Sequence, residues 1–147
     1  MNVMCIYLLF YAWEMKDQGK YRKYDKGVTI EVNNLSNQSL PELIFSYSVN
    51  QTDFKEVGTI QSLKAGESSQ ISGSSKEIKS SDTSLYLHYY IDNGGKAVDS
   101  LAYFSTAEPS KAVIVLNIHE VNPHGFLKYE KMGYDGWSQF GVDEINY

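Results

Sequence analysis

The residues nearest to a known chemical pattern are His119-Glu120-Val121-Asn122-Pro123-His124. A zinc hydrolase motif of the form H-E-x-x-H works because histidines four apart share one face of a helix, with the glutamate placed as general base. Here the spacing is one residue too long, and the stretch ends an apolar run and enters a proline turn. A strand histidine and a turn histidine are expected, and no metal. Asp92-Asn93-Gly94-Gly95 offers oxygens to calcium, but no ladder of further ligands follows it. Asn-Gly between two alternating runs is first a hairpin turn that needs positive φ. For nucleophilic catalysis a serine on a Gly-x-Ser-x-Gly elbow is needed, and none occurs; Ser72-Gly73-Ser74-Ser75 reads as a flexible loop. Acidic side chains are plentiful, but spacing alone does not pair them into an acid and a base. No catalytic residue and no cofactor is therefore assigned. Three Asn-x-Ser/Thr triplets, at Asn34, Asn37 and Asn50, favour exposed loops and carry nothing more.

What remains is recognition chemistry. Tyr86, His88 and Tyr90 alternate along one run and form an outward stripe, and Tyr134, Trp137, Phe140 and Tyr147 crowd the C-terminal tail. Exposed aromatic side chains anchor protein partners or stack on sugar rings. The expected binding surface is Tyr86, His88 and Tyr90, with Trp137 as neighbour or lid. The competing reading is that a second sheet or the tail covers the stripe and makes it core.

The elements that must carry these side chains are strands. In Ser84–Ile91, Leu85, Leu87, Tyr89 and Ile91 fall on one side and Tyr86, His88 and Tyr90 on the other, a period of two. In Ala112–Val121, Ile114, Leu116 and Ile118 share a face opposite Val113, Val115, Asn117 and His119. Val28–Val32 alternates with Val28, Ile30 and Val32 inward, and Leu43, Phe45 and Tyr47 line one face of the next run. Val57 and Ile60 follow as core candidates, then a short strand around Gln70–Ser72. Residues 72–83 are serine-rich and read as a surface connection, broken once by Ile78. Further strands are Lys96–Phe104 and Phe126–Met132, the latter entered through Asn122-Pro123-His124-Gly125. The whole makes about eight short strands separated by turn signals, with no helix pattern, which predicts an all-β fold. The expected form is a single antiparallel β-sandwich of about seven or eight strands, Ig-like in architecture.

Composition narrows the class. At 147 residues with 42% hydrophobic side chains, one domain with a full core is expected. The chain divides into an apolar segment with a basic linker (1–24), a sandwich (25–132) and an aromatic, glycine-bearing tail (133–147). Residues 1–26 hold five basic and three acidic side chains, +2, and the rest hold eight basic and fifteen acidic, −7. An acidic body, in a chain whose only arginine is Arg22, is unsuited to nucleic acid. Cys5 is the sole cysteine, so no internal disulfide forms.

Val3–Trp13 (VMCIYLLFYAW) is apolar throughout, and a lysine-rich stretch follows. Eleven helical residues reach about 16 Å, roughly half a bilayer core. With no basic n-region before it and no small-x-small site after it, the run is not a complete signal peptide. Three readings stay open: the back half of a membrane anchor whose start lies upstream, a helix in the interface, or a buried first strand. The basic flank speaks against the first, since lysines favour the cytoplasmic side.

The progression VTIEVNNLSNQSLPELIFSYS, IQSLKAGES, SLYLHYYIDNGGK and AVIVLNIHEVNPHG resembles small envelope proteins of low-GC Gram-positive bacteria, over about residues 27–125. The resemblance implies a membrane-anchored β-sandwich; it rests on strand and turn signatures, and the missing start of an anchor is where this chain departs from it. The function expected is a non-catalytic interaction module at the cell envelope, an accessory or immunity-type protein, with a protein partner at the cell surface. Membrane contact would run through Val3–Trp13. The alternative is a small carbohydrate-active or other hydrolytic enzyme. The expected location is extracytoplasmic and membrane-associated, with the cytoplasm as alternative.

Overall fold

Alternation of Val28, Ile30 and Val32 with Thr29 and Glu31 makes β1 (Gly27–Asn34), and in the computed structural model the three apolar residues are fully buried. The structure describes residues 2–141 and 145–146. The same alternation produces β2 (Leu43–Ser48), β3 (Lys55–Ile60), β4 (Ser68–Gly73), β5 (Thr83–Tyr90), β6 (Lys96–Phe104), β7 (Lys111–Val121) and β8 (Leu127–Tyr134). Two short strands, β9 (Gln139–Phe140) and β10 (Ile145–Asn146), both pair with β8. One sheet runs β10-β8-β7-β1-β4 and the other β3-β2-β5-β6. Their inner faces enclose one core in which Phe45, Leu85, Leu87, Tyr89, Phe104, Ile114, Leu116 and Ile118 are buried. The sandwich is as expected, and so are the inward faces of β1, β2, β5 and β7.

Four expectations change. First, the sandwich is not wholly antiparallel: β1 lies parallel to β7, with Val28 opposite Ala112, Ile30 opposite Ile114 and Val32 opposite Leu116. A parallel pair needs a long crossover, and the entire second sheet lies between these two strands in the chain. Second, the chain is not all-β. Val3–Gln18 is a helix, α1, followed by a 3-10 turn at Gly19–Lys23, so the buried-strand reading of Val3–Trp13 falls. Asn2 starts α1, its side-chain oxygen accepting the Met4 N–H, and Gly19 ends it at φ +53°. Third, Ile78 is wholly buried in the core, and its carbonyl accepts the Glu108 N–H at 2.8 Å; the serine-rich connection is pinned there. Fourth, the tail drawn from residue 133 begins inside a strand, because β8 extends to Tyr134 and the chain then returns to pair with it.

β7 is buried on both faces. Ala112, Ile114, Leu116 and Ile118 face the second sheet, while Val113 and Val115 form a small outer core with Tyr21 and Tyr134. Tyr24 and Met132 pack at its edge. The 3-10 turn after α1 is therefore a lid over the outer face of the first sheet, and Tyr21 retains only 3% of its surface.

Candidate functional site

The sheet built from β2, β3, β5 and β6 carries the expected stripe on its outer face, but the stripe is only partly open. Tyr90 is 55% exposed, with the Lys96 ammonium 5.8 Å from its ring centre. Tyr86 is half-buried, and His88 keeps only 4% of its surface. Phe54, at the end of the β2–β3 loop, covers both: its ring meets His88 edge-on at 4.6 Å and Tyr86 edge-on at 5.3 Å. Asn50 shapes that loop, its side-chain oxygen accepting the Thr52 and Asp53 N–H groups and its amide donating to Asp53. His88 is thus not an outward contact residue. The cover comes from a loop, not from the second sheet or the tail.

His88 Nε2 lies 2.6 Å from Ser46 Oγ, and both side chains are buried. Burial, and then the charge of Lys96, pushes the imidazole below its ordinary pKa, so it stays neutral at physiological pH. Nδ1 has no hydrogen-bond partner among the described residues, so no carboxylate orients the ring as a base would need. The pair ties β2 to β5 beneath Phe54.

Trp137 is elsewhere. It sits on the turn between β8 and β9, 71% exposed, where Asp135 Oδ1 accepts the N–H groups of Trp137 and Ser138 at 2.9 Å. The groove it lines, about 920 Å³, holds Trp13 of α1 and none of the tyrosine stripe. Trp137 is neither neighbour nor lid to Tyr86 and Tyr90.

That groove lies where α1 meets the sandwich, and its walls are tied together. Tyr134 donates its hydroxyl to Asp17 Oδ2 at 2.6 Å, and Gln139 donates its amide to the Asp17 carbonyl at 3.2 Å. Burial first, then the bond to Asp17, raises the Tyr134 phenol above its ordinary pKa. Lys111, almost fully buried at the start of β7, donates to Gln18 Oε1 at 3.0 Å and to the Arg22 carbonyl at 3.1 Å. A lysine against carbonyls left over at a helix end meets the negative pole of the helix. Arg22 stacks over the Tyr11 ring at 4.1 Å, and Lys26, exposed, completes the basic side of the groove.

Beyond the groove α1 is bare. Val3, Met4, Ile6, Tyr7, Leu8, Leu9, Phe10, Tyr11 and Trp13 are each 50–71% exposed. Consecutive helical positions turn by about 100°, so this run is apolar on every side. Among the described residues no helix is long and apolar enough to cross a membrane. A helix apolar on all sides ordinarily lies within a protein core or within lipid. Sequence reading singled out Val3–Trp13 and Trp137 separately; nothing local connects them, and Phe54 was missed as a cover.

The other candidate chemistry is placed plainly. His119 Nε2 lies 3.4 Å from Glu130 on the neighbouring strand, whereas His124 sits in the β7–β8 turn, so the two histidines do not form a site. Among the described residues no group of three or more metal-ligating side chains assembles. Asp92–Gly95 is the β5–β6 hairpin turn: Gly94 has φ +82°, and Asn93 Oδ1 accepts the Gly95 N–H at 2.8 Å.

No protein-family model matches this chain. No curated protein matches it either. Among solved structures it is similar to the NMR structure of a protein from Eubacterium rectale, at 14% identity over 81% of this chain and 94% of that one, with a TM-score of 0.31. A superposition that loose carries no argument about this chain.

Proposed function

We propose that this protein is a non-catalytic binding module that works at a membrane surface of the cell envelope, held there by α1. The observation that carries the reading is the run of nine large apolar side chains on α1, exposed on every side of the helix. Each such side chain gains about 1.5–3 kcal/mol on leaving water, so an unburied run of this kind is strongly driven into lipid. The run ends at Trp13 and gives way to Lys16, Lys20, Arg22, Lys23 and Lys26, the order of side chains that suits acyl chains, interface and headgroups in turn. The envelope location comes from the resemblance of residues 27–125 to envelope sandwiches. The open part of the tyrosine stripe, Tyr90 with Lys96 beside it, is the surface left for a protein partner.

The test is flotation of the full chain with phospholipid vesicles, beside a Leu8→Asp/Leu9→Asp variant. Both leucines are exposed, so the variant keeps its melting temperature. Wild type should rise with the vesicles and the variant should stay below. Wild type left below in the absence of aggregation would sink the reading.

A further inference from the structure

We propose that the groove between α1 and the Trp137 turn is a seat for the headgroup of an anionic phospholipid, which fixes how the sandwich stands on the bilayer. This deepens the membrane reading above and rests on it.

The chain has two tryptophans, and both line this groove, from elements at opposite ends of the sequence. Trp137 is the more telling. It occupies the tip of a tight turn, 71% exposed, although the turn needs only Asp135 and Gly136 to form. An indole is suited to the boundary between acyl chains and water, where its ring is sheltered and its N–H is still served. Trp13 stands at the level where the apolar run of α1 ends, so the two indoles bracket that boundary.

Two cations of the N-terminal segment line the same groove. Outside residues 1–26 the chain carries −7, which an anionic surface repels, and the +2 segment holds Arg22 and Lys26 at the groove wall. A phosphodiester there would meet both, with its glycerol and upper acyl carbons against the indoles. Asp17 also lines the groove, but one of its oxygens accepts the Tyr134 hydroxyl, which draws part of its charge inward. The bonds from Tyr134, Gln139 and Lys111 hold α1 to the sheet, so the seat is formed before a lipid enters.

The experiment uses the full chain and vesicles of phosphatidylcholine with or without phosphatidylglycerol. Lys26→Gln should weaken binding to the anionic vesicles about fivefold, the weight of one basic side chain at such a surface, and leave binding to neutral vesicles unmoved. Trp137→Ala should weaken binding to the anionic vesicles several-fold with the fold intact by circular dichroism. In Trp13→Phe, where Trp137 is the sole tryptophan, the indole fluorescence should shift to the blue and be quenched by lipids labelled near the headgroup. If wild type floats while Trp137→Ala and Lys26→Gln float equally well, the seat is overturned and the helix reading stands. If wild type does not float, both fall. A shift of Trp137 emission by soluble glycerol phosphate without vesicles would assign the groove to a free anion and overturn the lipid. An emission already blue without vesicles, in a chain that elutes as an oligomer, would assign the groove to a second copy.

Discussion

The Tyr134 hydroxyl on β8 donates to Asp17 Oδ2 on α1 at 2.6 Å, and this bond joins the one α-helix of the described residues to the sandwich. Tyr134 also shares its ring with Val113, Val115 and Tyr21 in the outer core, so one side chain serves both packing and attachment. Tyr134→Phe keeps the ring and removes the bond. It should cost about 1–2 kcal/mol, as bonds to charged acceptors do when partly exposed. Amide hydrogen exchange should speed up in residues 14–23 and not in β5 or β6. A uniform change would mean the helix root is not held by this bond.

Removing residues 1–13 should leave the melting temperature within a degree or so, because the side chains of residues 2–13 are exposed. Removing 1–24 should do more, since Val113 and Val115 lose Tyr21 and Tyr24 and face water. Tyr21→Ala alone should cost about 3 kcal/mol, as large aromatic truncations in a core do. Denaturant melts of the two shortened chains decide it, and equal stabilities would mean the outer core contributes nothing.

On the outer face of the second sheet, two neighbours of the stripe should behave oppositely. Tyr90→Ser should change stability by less than about 0.5 kcal/mol, because the ring is exposed. His88→Ala should cost about 2 kcal/mol or more, since it strips Ser46 Oγ of its partner and empties the space under Phe54. Urea unfolding of both variants would reverse the reading if Tyr90 proved the costlier.

Stability should fall at both ends of the pH scale. His88 has its pKa depressed in the fold by burial and then Lys96, so its contribution is present above the unfolded value near 6.5 and is lost as pH falls through the folded one. His88→Gln should flatten that acid limb. Tyr24 is pushed up to about 12, by burial and then by Glu31, and Tyr134 is raised as well. Their contribution is present below about pH 10 and is lost as pH climbs through the raised values. Melts across pH that stay level from 10 to 12 would refute the alkaline half.

Gly136 has φ +95°, and a Cβ there would come within 2.5 Å of Pro109 Cβ. Gly136→Ala should therefore cost about 1–2 kcal/mol and displace the turn that carries Trp137. The near-ultraviolet circular dichroism of the indoles should change while the far-ultraviolet spectrum holds. No change in either would mean the turn is loose enough to absorb the methyl.

The strands and their faces were legible from one dimension. Leu85, Leu87 and Tyr89 alternate with Tyr86, His88 and Tyr90, and a pleated strand leaves only the choice of which set is inside. The Asn93-Gly94 turn was legible for the same local reason, since few residues other than glycine accept its backbone angles. Alternation says which way a side chain points, however, and not what meets it. Phe54 over His88 and Tyr21 over Val113 and Val115 bring together residues far apart in the chain, and only the closed fold shows which outward face is covered. The parallel pairing of β1 with β7 is of the same kind, because β-strand pairing across a crossover leaves no local mark. For Val3–Trp13 the difficulty was different: an unbroken apolar run has neither a period of two nor one of 3.6, so periodicity does not separate helix from strand. Composition marked that run and Trp137 as aromatic and apolar from the outset. That Trp13 and Trp137 line one groove was decided by the return of the chain after β8, where the Trp137 turn comes to lie beside the root of α1.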